Sequence, residues 1–276
     1  MEETIRNEIS SLEWYHTIDL GNGIVTKGLY DIRKYLRFYP LPATMKGLSA
    51  LDIGTASGFF AFEMEKRGAS PVVATDLPSW DAHDFSPNVK KSIVNDRYEA
   101  YLKNPFTCAH KHLRSSVKKI EINVYDLSKQ TVGEFDVVFC GSMLLHVTDP
   151  IKAIMNIQKV TKQYAILSTQ IQPTRSRKPL ANFIGNPEKT VWWSMYPMCF
   201  VNMAKSAGFR HVELISLFDL ISEDGVYEVP HAVIRAWNGD PPAELLQGGT
   251  VDAMMNRVER LIKRILKKKV KHGTAR

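Results

Sequence analysis

The chain of 276 residues is 44% hydrophobic and 24% charged, ordinary proportions for a globular protein long enough to bury a full core. Its net charge of +7 is not spread evenly: residues 257–276 hold nine Lys/Arg against one Glu, so residues 1–256 carry 27 basic and 28 acidic groups. No apolar run approaches the roughly 20 residues of a membrane span, and Met1-Glu2-Glu3-Thr4 is too acidic for a secretory signal.

Cys108, Cys140 and Cys199 are too few and scattered for a disulfide framework. They read as small buried hydrophobes in a reducing, cytoplasmic compartment. Residues 1–12 read as a short amphipathic helix ending at Ser10-Ser11. An aromatic-polar segment from Trp14 to Leu20 closes on the turn Gly21-Asn22-Gly23. Leu29 to Tyr39 reads as a helix stopped by Pro40 and Pro42. From Leu48 the pattern becomes strand–helix alternation. Leu48 to Ile53 is a short apolar strand, and Phe59 to Arg67 is a helix closed by Gly68. Pro71 to Thr75 is the next strand, with Asp76 at its end. Residues 79–116 are polar and irregular, with a helix expected around Val89 to Leu102. Ile120, Ile122 and Val124 alternate with polar residues, as in a strand that Asp126 closes. Phe135 to Cys140 is almost wholly apolar, as expected of a strand covered on both faces. Helices at 150–161 and 200–207, and strands at 164–169, 212–217 and 226–237, complete the series. This order predicts an α/β fold with a doubly wound, mostly parallel, seven-stranded sheet. Residues 1–47 read as an N-terminal helical cap with an acceptor-site segment, 48–240 as the core domain, and 241–276 as a basic C-terminal helix.

In such sheets ligands sit beyond the carboxyl ends of the strands, near the switch point. Four strand ends here carry residues suited to chemistry. The first is Leu51-Asp52-Ile53-Gly54-Thr55-Ala56-Ser57-Gly58. Gly54 permits a sharp turn, Gly58 lets the next helix approach closely, and amides at the helix start can meet an anion. Its Gly-x-x-x-Gly spacing differs from the Gly-x-Gly-x-x-Gly of dinucleotide sites, which disfavours a nicotinamide oxidoreductase. Asp76, with Leu77 beside it, ends the second strand, where a carboxylate can accept hydrogen bonds from two ribose hydroxyls. Asp126 ends the third, although an aspartate in such a turn also serves local purposes. The fourth is Cys140-Gly141-Ser142-Met143-Leu144-Leu145-His146, followed by Asp149-Pro150. Its His146 suits either a general base or a histidine packing the strand–helix corner. His83, His110 and His112 lack the cysteine or carboxylate spacing of a metal site and read as solvated loop residues, so no metal is expected.

The first loop resembles motif I of the class I, Rossmann-like methyltransferases. That resemblance implies S-adenosyl-L-methionine as cofactor. It would be held by Asp52, Gly54, Thr55, Ala56 and Gly58, by Asp76 and Leu77 at the ribose, by Asp126 at the adenine amino group, and by Gly141 and Ser142 beneath it. Other segments are similar to the tRNA wobble-uridine (mo5U34) methyltransferase-like family. They are Trp14-Tyr15-His16-Thr17-Ile18, Gly23 to Gly28, Phe135 through His146 with Asp149-Pro150, Val191-Trp192-Trp193, Pro197 and Ala207-Gly208-Phe209. The likeness runs from about Trp14 to Ala236. It implies that Trp14, Tyr15, His16, Trp192, Trp193 and Tyr196 border an acceptor pocket, with core packing as the other role each suits. His16 joins His146 as a candidate base.

The archetype of that family transfers a carboxymethyl group and recognises its extra carboxylate with a lysine, a tyrosine and an arginine. Those positions hold Lys27, Leu145 and His231 here. Two of three polar contacts are lost, which would leave a buried carboxylate poorly paired, so ordinary S-adenosylmethionine is expected. Lys27 is then either solvated or paired with an anionic acceptor.

In the tail, Val251, Met254, Met255, Val258, Leu261, Ile262, Ile265 and Leu266 recur at helical spacing, with basic residues on the remainder. Such a helix can dock on its own domain, lie on an anionic membrane surface, or grip RNA phosphates. The neutral body lacks the distributed cations of a phosphate-binding footprint. The expected function is therefore methyl transfer to an oxygen or nitrogen of a small-molecule or glycan acceptor. tRNA is the alternative acceptor, and a cofactor-binding protein without transfer activity is the alternative from another class.

Overall fold

Asp31 ends one short extended segment, and Pro40 and Pro42 bound the next, so the first fifty residues form only small elements. Helix α1 (Glu2–Ser10) leads into strands β1 (Trp14–His16) and β2 (Gly28–Tyr30) and a 3-10 helix, Ile32–Phe38. The apolar core sequence then alternates β3 (Ala50–Ile53), α2 (Phe59–Lys66), β4 (Val72–Asp76) and α3 (Pro87–Ser92). A π turn (Glu99–Lys103) runs into α4 (Asn104–Leu113), followed by β5 (Lys118–Glu121), β6 (Phe135–Gly141), α5 (Pro150–Lys159) and β7 (Thr161–Gln170). A hairpin of β8 (Ala181–Phe183) and β9 (Trp193–Met195) precedes α6 (Pro197–Ser206), β10 (His211–Ile221) and β11 (Glu228–Trp237). This computed structural model describes residues 2–92, 99–174 and 176–242; the expected basic C-terminal helix lies outside the described residues.

The main sheet has seven strands in the order β10-β11-β7-β6-β3-β4-β5. Strands β3 to β7 run parallel, and β11 and β10 add antiparallel edges. The chain leaves β3 toward β4 and returns on its other side as β6, so the switch point lies at the carboxyl ends of β3 and β6. Successive side chains alternate between two covered faces. Leu51, Ile53, Val138 and Cys140 pack with Ile154, Ile157, Phe200 and Val201, on the side of α5 and α6. Ala50, Val137 and Phe139 pack with Phe59, Phe60, Met64 and Phe106, and the N-terminal segment adds Trp14, Ile18, Tyr30 and Tyr39 to that layer. All three cysteines are buried and free. No described helix is long and apolar enough to cross a membrane.

The local departures from the sequence reading have identifiable causes. Leu29 to Tyr39 is not one helix, because Gly28–Tyr30 pairs in parallel with Trp14–His16, and Asp31 then accepts the Arg33 amide to open the 3-10 turn. Of the helix expected around Val89 to Leu102, residues 89–92 belong to α3 and 99–102 to the π turn, while 93–98 lie outside the described residues; α4 then starts with Pro105 in its first turn and buries Phe106, Cys108 and Ala109. The strand expected through Val124 stops at Glu121, since Asn123 accepts the Tyr125 amide and starts a 3-10 turn at Val124–Asp126.

Gly28 shows how closely β1 and β2 approach. A Cβ built there would stand 2.1 Å from the carbonyl carbon of His16, and neither backbone has room to move without breaking the Thr17–Tyr30 hydrogen bond of 2.9 Å. Gly28→Ala is expected to destabilise the fold by about 2 kcal/mol or more, the range of overpacked interiors. It should appear as a lower denaturant midpoint at unchanged slope.

Candidate active site

Two buried carboxylates organise the turn after β3. Oδ2 of Asp52 accepts the Thr55 hydroxyl at 2.7 Å and the Ala61 amide at 3.1 Å, tying the turn to the start of α2. Burial pushes the Asp52 carboxyl up to about 7, against the opposing pull of those two bonds. From the end of β4, Asp76 reaches back so that Oδ2 accepts the Ala56 amide at 2.9 Å, while Oδ1 accepts the Leu77 amide at 2.9 Å. Burial raises this carboxyl too, with Lys119 and the two amides opposing. One N–H per oxygen leaves each with accepting capacity to spare. Gly58, at φ +94°, begins α2 where a Cβ would meet the Phe62 ring at 2.4 Å and the Phe106 ring at 2.8 Å.

These strand ends wall a cavity of about 290 Å³. Asp52, Gly54, Thr55, Ala56, Asp76 and Leu77 line one part of it, with Gly141, Ser142 and Met143 from the end of β6. Aromatic rings supply much of the remainder, among them Tyr15, Tyr30, Trp80, Phe85, Tyr101 and Tyr125. Three histidines also line it: His16, His83 and His146. The Nδ1 of His146 lies 2.7 Å from the Thr190 carbonyl oxygen. A carbonyl only accepts, so the ring proton sits on Nδ1 and Nε2 carries a lone pair. Burial lowers the His146 pKa, and the bond to Thr190 opposes this only in part. His16 is buried by its neighbours, which push it down to about 3. Its Nδ1 has no hydrogen-bond partner, while its amide donates to the Ser57 hydroxyl at 3.0 Å. Behind the cavity, His231 donates from Nδ1 to the Val229 carbonyl and therefore accepts the Ser142 hydroxyl at Nε2, both at 2.8 Å. Burial pushes His231 down to about 4.

One wall is a clasp between two segments distant in sequence. Oδ2 of Asp84 accepts the Tyr125 hydroxyl at 2.7 Å and both the amide and the hydroxyl of Thr148 at 2.8 Å. Burial pushes its carboxyl up, but the bonds from Thr148 and Tyr125 outweigh that and hold it below the ordinary value. The Trp192 indole donates to the Asp84 carbonyl at 2.9 Å, and the Trp193 indole to the Thr148 carbonyl at 3.1 Å.

The structure thus brings together most, but not all, of the residues singled out from sequence. Gly58 stands behind the turn and does not line the cavity. Asp126 is exposed at the outer end of its 3-10 turn, and Asn123, Val124 and Tyr125 face the cavity in its place. Trp14 is a core residue whose indole donates to the Ile9 carbonyl at 3.0 Å. Lys27 is exposed and away from the lining. Trp192 and Trp193 brace the clasp from behind, and Tyr196 packs on the core at the start of α6. His83 lines the cavity, and His110 and His112 lie on α4 and not on a loop. Within Trp80–Phe85 the sequence reading singles out only His83; the three rings of Trp80, His83 and Phe85 in a polar region are the available signal, and in the fold His83 stacks on Phe85 at 4.7 Å.

Comparison with known proteins gives these features a family. A model described as "Methyltransferase domain" matches residues 27–220. Ubiquinone biosynthesis O-methyltransferases of Neisseria meningitidis, from serogroups C and A, are 29% and 28% identical to this chain over 137 residues. That is 48% and 49% of this chain and 49% of each relative, so the chain spans about half the length of the curated relatives it matches. Among solved structures, the N-terminal domain of EvdMO1, crystallised in the presence of SAH and D-fucose, superposes with a TM-score of 0.53 at 16% identity. The superposition covers 86% of this chain and 96% of that one. A Listeria monocytogenes protein gives 0.50 at 12% identity, over 76% and 98% of the two chains. At such identities the likeness is one of fold. What matches is the broad methyltransferase domain, and the narrower likeness to the wobble-uridine branch rests on the sequence motifs alone.

The clasp predicts its own weak point. Asp84→Asn keeps the shape but removes the charge from three hydrogen bonds, each of a kind worth about 1.5–3 kcal/mol. Amide exchange across residues 80–86 should rise at least tenfold, measured by mass spectrometry. Unchanged exchange would show that the segment is held by its other bonds, from Trp192 to the Asp84 carbonyl and from Ser86 to the Pro187 carbonyl.

Proposed function

Because the chain belongs to the methyltransferase-domain family, we propose that it transfers a methyl group from S-adenosyl-L-methionine to an oxygen or nitrogen of a small, hydroxylated or glycosidic acceptor. One arrangement carries this reading: the lone pair of His146 Nε2 and the spare accepting capacity of Asp76 serve a single cavity. The turn from Gly54 to Gly58 and the paired acceptor oxygens of Asp76 fit the cofactor's amino-acid end and ribose diol. When bound, the cofactor supplies an electrophilic methyl on a sulfonium.

The side chains then have separable roles. His146 takes the acceptor's proton at Nε2 as that oxygen or nitrogen attacks, and the Thr190 carbonyl holds the ring and stabilises its charged form. His16, with its basicity suppressed to about 3, is a poor base; packed against Tyr15, Phe59 and Phe60, it shapes the wall of the cavity. The aromatic walls hold the reacting groups in contact and keep water away. In this division residues 1–47 form the acceptor-side cap and 48–240 the cofactor domain.

Charge supports a neutral acceptor. Among the described residues the lining holds Asp52, Asp76 and Asp84 but no lysine or arginine. Its histidines are pushed toward the uncharged form by burial. An anionic acceptor enclosed there would find no cationic side chain, only the cofactor's own sulfonium, to offset its desolvation. The same reasoning disfavours a carboxylated cofactor, since Lys27 is exposed, Leu145 is apolar and His231 is committed to Ser142. A second reading, methylation of a tRNA wobble uridine, is favoured by the motifs from Trp14 to Ala236 and by the nine basic residues after residue 256. The same tail also suits an anionic membrane surface.

Calorimetry should show one S-adenosylmethionine site per chain and no affinity for NAD. Asp76→Ala should weaken it tenfold to a hundredfold, the equivalent of one or two charged hydrogen bonds. An absence of cofactor binding would remove the enzyme reading. Labelled methyl appearing at a wobble uridine in an undermodified tRNA pool would replace the small acceptor with tRNA.

The base makes a separate prediction. His146 must be neutral to accept a proton, and its pKa is lowered, so the acid limb of kcat/KM should fall at a pH below the ordinary 6.5. His146→Gln should remove that limb and reduce kcat by about 10²–10⁴-fold, with cofactor affinity retained. A variant with full activity would eliminate His146 as the base.

A further inference from the structure

Helix α4 carries Cys108 and His112 four residues apart, so both side chains stand on one helical face. Helix α1 meets that face with Glu8, about a hundred residues away along the chain. The thiol sulfur, a ring nitrogen and a carboxylate oxygen of these three residues all lie within 4.8 Å of one another. His112 Nε2 is 3.1 Å from Glu8 Oε2. Cys108 is buried, and the other two are partly buried. None of this belongs to the cavity, and methyl transfer makes no use of it.

We propose that Glu8, Cys108 and His112 form a binding site for a divalent ion of the zinc class, which fastens α1 to the body of the protein. One thiolate, one imidazole and one carboxylate make a borderline-soft donor set, and three protein ligands leave the fourth tetrahedral position to water. Zinc bond lengths of about 2.0–2.3 Å place tetrahedral ligand atoms roughly 3.3–3.6 Å apart. The widest pair, at no more than 4.8 Å, therefore needs to close by about 1.2–1.5 Å at most. Binding moves no electrons between partners: the Cys108 S–H bond breaks, its proton leaves to solvent, and the sulfur donates a lone pair to the ion. Burial pushes the free thiol up to about 11, so the proton leaves by displacement. Lys111, whose Nζ lies 3.1 Å from both Glu8 oxygens, gives up one of them.

The same side chains have a competing arrangement without an ion. Glu8 then simply pairs with Lys111 and His112, and Cys108 packs as an apolar group. The two accounts part company at the sulfur, which an ion pair does not need. The consequence of an ion would also reach the cavity. Helix α1 runs into β1, whose Tyr15 and His16 line it, and α4 follows Tyr101 and Leu102, which line it too. The ion would hold two walls in fixed relation.

The test uses the full chain, stripped with a chelator and titrated with Co²⁺ as a spectroscopic stand-in for zinc. The expected result is one equivalent bound, with a thiolate-to-cobalt charge-transfer band that Zn²⁺ abolishes by displacement. Cys108→Ser should lose the band, and Glu8→Gln and His112→Gln should weaken binding at least tenfold. Cys140→Ser and Cys199→Ser should leave the band intact. Zn²⁺ should raise the thermal midpoint of the parent chain but not of Glu8→Gln, a partly exposed substitution that spares the core. Absence of the band, its survival in Cys108→Ser, or equal binding by Glu8→Gln and the parent would each overturn the proposal in favour of the plain ion pair.

Discussion

Two carboxylates buried side by side, at the ends of neighbouring parallel strands, set the terms for everything around them. Asp52 and Asp76 stand on β3 and β4, paired in register at Asp52↔Ala74 and Ile53↔Thr75, and both are withdrawn from water. A lone carboxylate in that position would be costly. Each is offset by hydrogen bonds from the turn it anchors: the Thr55 hydroxyl and Ala61 amide for Asp52, the Ala56 and Leu77 amides for Asp76. The amides of Gly54 and Thr55 also converge on the Thr75 carbonyl at 2.9 and 3.0 Å. The turn is thus pinned from both strands, with Ala56 held at a left-handed φ of +49° that alanine adopts only under such constraint.

The N-terminal segment exploits that rigidity. It has little regular structure of its own, yet it is ordered by contacts to the pinned turn and to the aromatic layer under β3. The His16 amide donates to Ser57 within the turn, and Tyr39 packs edge-on against Phe60 at 5.0 Å between ring centres. Burying His16 among Tyr15, Phe59 and Phe60 keeps it uncharged. The opposite wall, from Trp80 to Phe85, is fixed instead by polar bonds to Tyr125 and Thr148. One side of the cavity is therefore set by apolar packing, and the other by a hydrogen-bonded clasp around the buried Phe85.

How much of this was legible in the sequence follows from the range of the interactions. The β3–turn–α2 unit, Asp76 and the apolar β6 were readable, because strand period, glycine placement and a terminal acid are local signals. The fold order followed from them. Asp126 was misplaced by a local rule as well: Asn123 captures the Tyr125 amide and ends the strand earlier, which turns the aspartate outward. The order of Trp80–Phe85 and of the β8–β9 hairpin escaped notice because it comes from partners about a hundred residues away, such as Trp192 with Asp84. Trp192 and Trp193 drew attention as possible acceptor contacts, but their indole N–H groups are spent bracing backbone carbonyls. Glu8 and His112 illustrate the same limit, since no spacing rule connects residues on separate helices.

The hydrogen bond from His146 to Thr190 has an implication for how variation in this chain should be read. The ring is oriented by a peptide oxygen, not by the threonine side chain. Any amino acid at position 190 offers that oxygen, proline included, provided the segment keeps its path beside the end of β6. Substitution there can be silent, while an insertion or deletion nearby, changing no residue in the cavity, would move the oxygen and free the imidazole to exchange its tautomer. Position, not residue identity, is what this part of the chain must conserve.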